Sequence, residues 1–478
     1  MPATAHYRPD PSFAKLGPDF ADPVIAARFP QAALRRRNQA WAQRIGLGAL
    51  DDTEWEAHFA RFEPLPGNMT EALAMRYHGH QFRSYNSDIG DGRGFLFAQV
   101  RDDVGRLLDL GTKGSGQTPY SRRGDGRLTL KGGVREVLAA EMLEALGVVT
   151  SKAFSLYETG EALTRGDEPS PTRASVLVRL QHSHIRIGTF QRLAYLDRPD
   201  LMRALIDHCA EAYFPDLLTL SAEDRAAGLL AHAARENGRL AASWMAAGFV
   251  HGVLNTDNLT ITGESFDYGP WRFLPTSDPN FTAAYFDENG LYAFGRQPEA
   301  VSWALMQLGG VLNLVCPVAP LEAALAEFAP AYQAALRDCM FAHLHLALGE
   351  RDSDLAFLQT LFNWLTETQI GWAQFFHDWA GGEASVARAT DSPQAHAYQR
   401  ADFASVRDGL ATRTTGDAGA FLADPYFQRR LPVSLVIDEV EAVWAPIAER
   451  DDWSAFEAKL REIEELRAAC HRSVAEPE

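Results

Sequence analysis

Cysteine is scarce and scattered. Cys209, Cys316, Cys339 and Cys470 are the four present among 478 residues, too far apart for the paired spacings of a structural zinc site or a disulfide framework. No stretch approaches the roughly 20 uninterrupted apolar residues of a membrane span. Met1 to Asp10 lacks the basic-then-apolar order of a signal peptide, so the expectation is a cytoplasmic protein of bacterial type with no membrane partner. Positive charge is also in deficit, with 45 Lys and Arg against 63 Asp and Glu and a formal net charge of -18. Such a surface repels phosphate backbones, which excludes nucleic acid as a general partner and requires any phosphate site to be a local basic cluster. Fixed-period repeats and low-complexity tracts are absent.

What is present is a globular composition. The hydrophobic fraction is 46% and the charged fraction 23%, enough for sizeable cores, while the length calls for more than one packed unit. The sequence divides by texture. Residues 1–64 carry short helical patterns, Ala32 to Ile45 and Thr53 to Phe62, and look like a wrapping extension. Residues 65–190 are glycine-rich with short apolar alternation. There Phe95 to Val100 and Arg106 to Leu110 flank Asp102-Asp103-Val104-Gly105 as a β-hairpin, Ser175 to Leu180 reads as a strand, and Gly133 to Leu146, stopped by Gly147, reads as a helix. Residues 191–345 turn helical, with apolar spacings of three and four over Asp200 to Tyr213, Glu223 to Ala247, Glu299 to Leu314 and Pro320 to Leu348. Residues 346–478 continue this way through Asp352 to Thr368 and Asp451 to Cys470. The expected class is α+β, a β-rich lobe followed by a helical lobe as in protein kinases, with chemistry in the cleft between them.

Two local constellations carry chemistry. His251-Gly252-Val253-Leu254-Asn255-Thr256-Asp257-Asn258 is followed, after a short apolar run, by Asp267-Tyr268-Gly269. An Asn and an Asp on adjacent segments are how kinase-like sites hold a divalent metal on nucleotide phosphates, and oxygen ligands suit Mg²⁺ or Mn²⁺. Asn258 and Asp267 are therefore the metal candidates. The position two residues after the histidine, where a kinase has its hydroxyl-activating Asp, is Val253; the carboxylate available instead is Asp257. Upstream, Gly90 and Gly92 precede the hairpin, where glycines let backbone N–H groups approach phosphate oxygens. Lys113 closes the second hairpin strand, and Glu136 on the following helix is its candidate partner, with a surface salt bridge as the alternative. Arg93, Arg122, Arg123, Arg127, Arg179 and Arg186 gather in the same third of an otherwise acidic chain, as a triphosphate requires.

These segments resemble the selenoprotein O family, also called YdiU. SDIGDGRGF, LGTKGSGQTPYSRRGDGRL, REVLAAEML, HGVLNTDN and DYGPWRFL run in family order across roughly residues 65 to 300. The resemblance implies a pseudokinase fold that binds ATP flipped, with the α-phosphate facing the acceptor. It implies AMP transfer to Ser, Thr or Tyr hydroxyls of proteins, the enzyme itself among the candidate substrates, and for bacterial members Mn²⁺-dependent transfer of UMP from UTP. Carried over by position, Gly90, Gly92, Arg93, Lys113, Asp125, Gly126, Arg179 and Arg186 would line the nucleotide, with Glu136 supporting Lys113. Asp257 would accept the proton, and Asn258 and Asp267 would hold the metal, Asp267 also contacting the nucleotide. Some members pair a terminal cysteine with one shortly after DYG; here Asp267 to Phe286 holds no cysteine, so Cys470 is expected to be an ordinary half-buried thiol. The competing functions are a kinase moving the γ-phosphate, against which Val253 counts, and a nucleotide-binding scaffold without activity.

Overall fold

A computed structural model describes residues 6–166 and 168–471. It is a mixed α/β structure built on one antiparallel sheet. The strands are β1 (Arg8–Pro9), β2 (Ala21–Val24), β3 (Ala33–Arg37), β4 (Ala72–Met75), β5 (Gly79–Gln81), β6 (Ser84–Asn86), β7 (Leu96–Arg101), β8 (Leu107–Lys113), β9 (Leu128–Thr129), β10 (Lys152–Leu163), β11 (Thr172–Gln181), β12 (Phe249–Val250) and β13 (Arg272–Phe273). The large sheet runs β2-β4-β7-β8-β11-β10-β3, with β1 on β7 and β9 on β11. β5 pairs with β6, and β12 with β13.

The expected hairpin is β7–β8. Its turn closes through Gly105, which takes a φ of 91° and donates its N–H to the Asp102 carbonyl at 3.0 Å. α1 (Gln39–Arg44) and α2 (Asp52–Phe59) cover one face of the sheet. There Trp55, Phe59 and Phe154 interlock with ring centroids 4.5 to 5.2 Å apart. Phe154 is fully buried, so Phe154→Ala is expected to lower the unfolding free energy by about 3–5 kcal/mol in urea titration.

α3 (Leu130–Ala145) packs on the sheet's other face. Thr129 caps its start by accepting from Gly132 N–H, and Gly147, at φ 75°, turns the chain away at its end. On α3, Glu141 accepts hydrogen bonds from Arg36 of β3 at 2.6 Å and from Arg467 at 2.8 Å.

Beyond the sheet come α4 (Ile187–Tyr195), α5 (Pro199–Ala212), α6 (Asp224–Ala247), α7 (Gln297–Leu312), α8 (Val318–Leu325) and α9 (Phe328–His343). They share the α3 core around Leu205, Leu240, Trp244 and Leu305. α10 (Arg351–Thr368), α11 (Trp372–Trp379), α12 (Val386–Asp391), α13 (Ala395–Tyr398), α14 (Ala404–Ala411) and α15 (Ala418–Leu422) follow, several of them around a second aromatic core that includes Trp364, Phe375 and Phe403. α16 (Ile437–Arg450) and α17 (Ser454–His471) complete the described chain, and α17, which carries Arg467, lies back along α3.

Two expected helices are corrected. Residues 33–37 form edge strand β3, and the helix begins only at Gln39, where the Asn38 side chain accepts from Trp41 N–H. Arg35 and Arg36 find acidic partners in Glu158 of neighbouring β10 and Glu141 of α3, and this tertiary pairing overrides a local helical pattern. The stretch from Pro320 to Leu348 is two helices, because Pro330 has no N–H to donate and is tolerated only in the first turn of α9.

Candidate active site

The register of β8 against β11 places Lys113 opposite Leu177 and Gly111 opposite Arg179. Lys113 and Arg179 are thus diagonal neighbours on one face, both nearly inaccessible. Lys113 Nζ reaches Glu136 of α3 in a buried ion pair, so the surface-bridge alternative is overturned. The same ammonium lies 2.6 Å from Asp267 Oδ1, and Arg179 Nη1 approaches that oxygen at 3.4 Å.

Asp267 holds a left-handed φ of 62°, an uncommon conformation that persists only where the surroundings enforce it. His251 supplies part of that enforcement. Its backbone N–H is held by Gln297 at 2.9 Å, and its Nε2 donates to the Phe266 carbonyl at 2.9 Å. Burial alone would raise the Asp267 carboxyl, but Lys113, Arg179 and Arg93 outweigh it and hold the group well below the usual carboxylate range.

Asp257 has the opposite character. Its Oδ1 is buried without a hydrogen-bond partner, and burial pushes the carboxyl up to about 6 against the pull of Arg186. Next to it, Asn258 donates its amide to the Val253 carbonyl at 3.0 Å, which leaves the amide oxygen available. Asn255 accepts from Phe82 N–H at 3.0 Å and from the Tyr292 hydroxyl at 2.9 Å, fixing the start of the loop.

These groups share one cleft of about 770 Å³. Gly90, Gly92, Arg93, Lys113, Asp125, Gly126, Arg179, Arg186, Asp257, Asn258 and Asp267 all line it, while Glu136 stands behind Lys113. Glycine is required where loops run together. Gly116 N–H donates to the Gly126 carbonyl at 3.1 Å, and at Gly126, with φ 69°, a Cβ would collide with the Gly116 carbonyl. Asp125 Oδ2 pairs with Arg165 at 2.8 Å. Arg122 and Arg123 also line the cleft, whereas Arg127, besides reaching it, is engaged by Glu161 at 2.9 Å.

Sequence reasoning passed over Asp91, although it sits between the two glycines singled out. Asp91 accepts from Met75 N–H at 3.0 Å and pairs with Arg186 at 3.1 Å, so it aims that arginine. Arg186 also lies over the Tyr77 ring at 4.4 Å. Cys470 on α17 is half-buried, and burial pushes its thiol up to about 12.

Among the described residues, no cluster of three or more His, Cys, Asp or Glu side chains is arranged as a metal site. The donors at hand are the Asn258 amide oxygen, the Asp267 carboxylate and the orphaned Asp257 Oδ1. That short all-oxygen set fits Mg²⁺ or Mn²⁺, which take one or two protein oxygens and complete their shell from substrate phosphates and water. No helix among the described residues is long and apolar enough to cross a membrane.

A family profile described as protein adenylyltransferase SelO matches residues 3–464. A protein nucleotidyltransferase YdiU of Synechococcus elongatus is 44% identical, the match covering 94% of each chain. One of Gloeobacter violaceus is 45% identical over 94% of this chain and 93% of its own. One of Pseudomonas putida is 38% identical over 80% of this chain and 76% of its own.

Proposed function

The chain belongs to the SelO protein adenylyltransferase family, a family of protein nucleotidyltransferases, and from that premise we propose that it moves AMP from ATP onto Ser, Thr or Tyr hydroxyls of proteins. UTP serves as an alternative donor, transferring UMP. In this reading residues 65–190 and 191–345 act as the two lobes of a kinase-like fold, flanked by extensions 1–64 and 346–478. The observation that carries the proposal is the convergence on Asp267: a lysine buried against Glu136 and an arginine from the neighbouring strand meet one carboxylate inside one cleft.

Lys113, Arg179 and Arg186 would bind phosphate oxygens, and the glycine backbones at 90, 92 and 126 would let the nucleotide approach closely. Arg93 and Asp125 would complete the nucleotide pocket. Asn258 and Asp267 would hold the divalent cation, which when bound neutralises phosphate charge. The acceptor oxygen attacks the α-phosphorus, the bond to the bridging oxygen of the β-phosphate breaks, and pyrophosphate leaves. Asp257 takes the hydroxyl proton; its unpartnered buried oxygen is available for that, whereas the side chain of Val253, at the position of a kinase base, is a hydrocarbon that can take no proton.

Labelled ATP tests the choice between transfer chemistries. Incubated with Mg²⁺ or Mn²⁺, the protein is expected to pass label to protein acceptors from [α-³²P]ATP and not from [γ-³²P]ATP. Label arriving only from the γ-position would replace this reading with a kinase, and label from neither would leave a nucleotide-binding scaffold.

A further inference from the structure

Aromatic side chains are almost all inside this protein. Of 27 Phe, 13 Tyr and 10 Trp, those that stand exposed among the described residues are Phe82, Tyr85, Tyr195, Tyr285 and Phe286. Their rings form two groups, one at each side of a single hairpin's sequence, Tyr85 with Tyr195 and Phe82 with Phe286 and Tyr285. Tyr85 stacks on Tyr195 with centroids 5.8 Å apart, Phe82 meets Phe286 at 5.8 Å, and Phe286 meets Tyr285 at 5.1 Å. Phe82 and Tyr85 belong to one element, the hairpin formed by β5 and β6.

That hairpin is fastened to the loop bearing Asp257. His80 N–H donates to Thr256 Oγ1 at 2.7 Å, and Phe82 N–H to Asn255 Oδ1 at 3.0 Å. A Cβ on Gly79 would stand 3.4 Å from Asp257 Oδ1, and Gln81 lines the cleft. The turn residues Phe82 and Arg83 both adopt left-handed backbone, with φ of 49° and 63°, at a cost of about 1–2 kcal/mol each for residues that carry a Cβ. The bond from Phe82 to Asn255 holds this turn in place. Arg83 is already engaged by Glu299 at 3.0 Å, so the ledge offers apolar surface in preference to charge.

Building on the function proposed above, we infer that this aromatic ledge docks the acceptor polypeptide. The bound segment is extended or looped, and it presents a leucine- or phenylalanine-type side chain next to the hydroxyl residue that receives the nucleotide. A hydroxyl approaching the buried Oδ1 of Asp257 must protrude from a chain that crosses the mouth of the cleft, and the hairpin forms a wall of that mouth. The exposed group of Phe82, Tyr285 and Phe286 is what such a chain can cover with gain, since rigid rings bury large area at little entropic cost.

Fluorescein-labelled peptides of about nine residues, with a central Ser flanked by Leu and Phe or by Lys and Glu, test this by anisotropy. The apolar-flanked peptide is expected to bind about tenfold more tightly, and Tyr285→Ser/Phe286→Ser is expected to remove the difference. The ATP-induced rise in melting temperature should be unchanged in that variant, because neither residue lines the nucleotide cleft. Equal binding of the two peptides, or a preference that survives the double substitution, overturns the inference. So does sedimentation showing a wild-type dimer that the substitutions dissociate, because the ledge then belongs to a second copy. Transfer of α-label onto the bound peptides is read separately: its absence, with the binding preference intact, counts against the proposed chemistry and not against the docking surface.

Discussion

Asp257→Asn is expected to lower nucleotide transfer by about 10²- to 10⁴-fold, the range over which a positioned general base contributes, while the protein stays folded and still binds ATP. The substitution keeps the shape of the side chain and removes its charge and its capacity to accept a proton. Asp257 Oδ1 has no hydrogen-bond partner and burial disfavours its charge, so the melting temperature should be kept. ATP-dependent thermal shift should match the wild type, since Lys113, Arg179 and Arg186 are untouched. Transfer rates within a few-fold of wild type, at equal acceptor concentration, would remove Asp257 from the chemistry.

Lys113→Met is expected to act on stability and activity together. Glu136 is nearly inaccessible and Asp267 about one-third exposed, and both lose their cation. Leaving a buried charge unpaired costs about 3–5 kcal/mol, so the urea midpoint should fall clearly. Arg179, at 3.4 Å from Asp267, offsets part of the loss on that side. A second substitution separates the two effects. Lys113→Met/Glu136→Gln removes the stranded charge on α3 and should recover much of the stability, yet transfer should remain as low as in the single variant. If transfer returned along with stability, Lys113 would be a structural residue alone.

The hairpin β7–β8, α3, and most of the long helices after residue 199 were legible in the sequence because each has a clear apolar period and a glycine or capping signal at its end. β10 was not. Ser155 and Thr159 lie fully buried within it, Trp55 Nε1–H donating to Ser155 Oγ at 3.0 Å, and its pairing with β11 shifts register between Glu158 and Ala162. Buried polar residues, one of them held by a partner a hundred positions away, break the alternation that a pattern reading depends on. β3 was misread for a related reason, its arginines being defined by acids on other elements. In the site, Lys113, Glu136, Asp257, Asn258 and Asp267 stood out by residue type and order. Asp91 and Asn255 did not, since each acts through contacts distant in the chain: Met75 and Arg186 for Asp91, Phe82 and Tyr292 for Asn255. The exposed aromatic ledge was illegible too, because nothing in a sequence marks which five rings fail to be buried.

The double grip on Glu141 bears on how the protein is made. One of its arginines, Arg36, precedes the helix in the chain, and the other, Arg467, leaves the ribosome hundreds of residues after it. While the nascent chain is being extended, the helix that seats Lys113 is therefore clasped from one side only. A growing chain can form its sheet early, but the support beneath its phosphate-binding lysine is completed only when translation has passed residue 467.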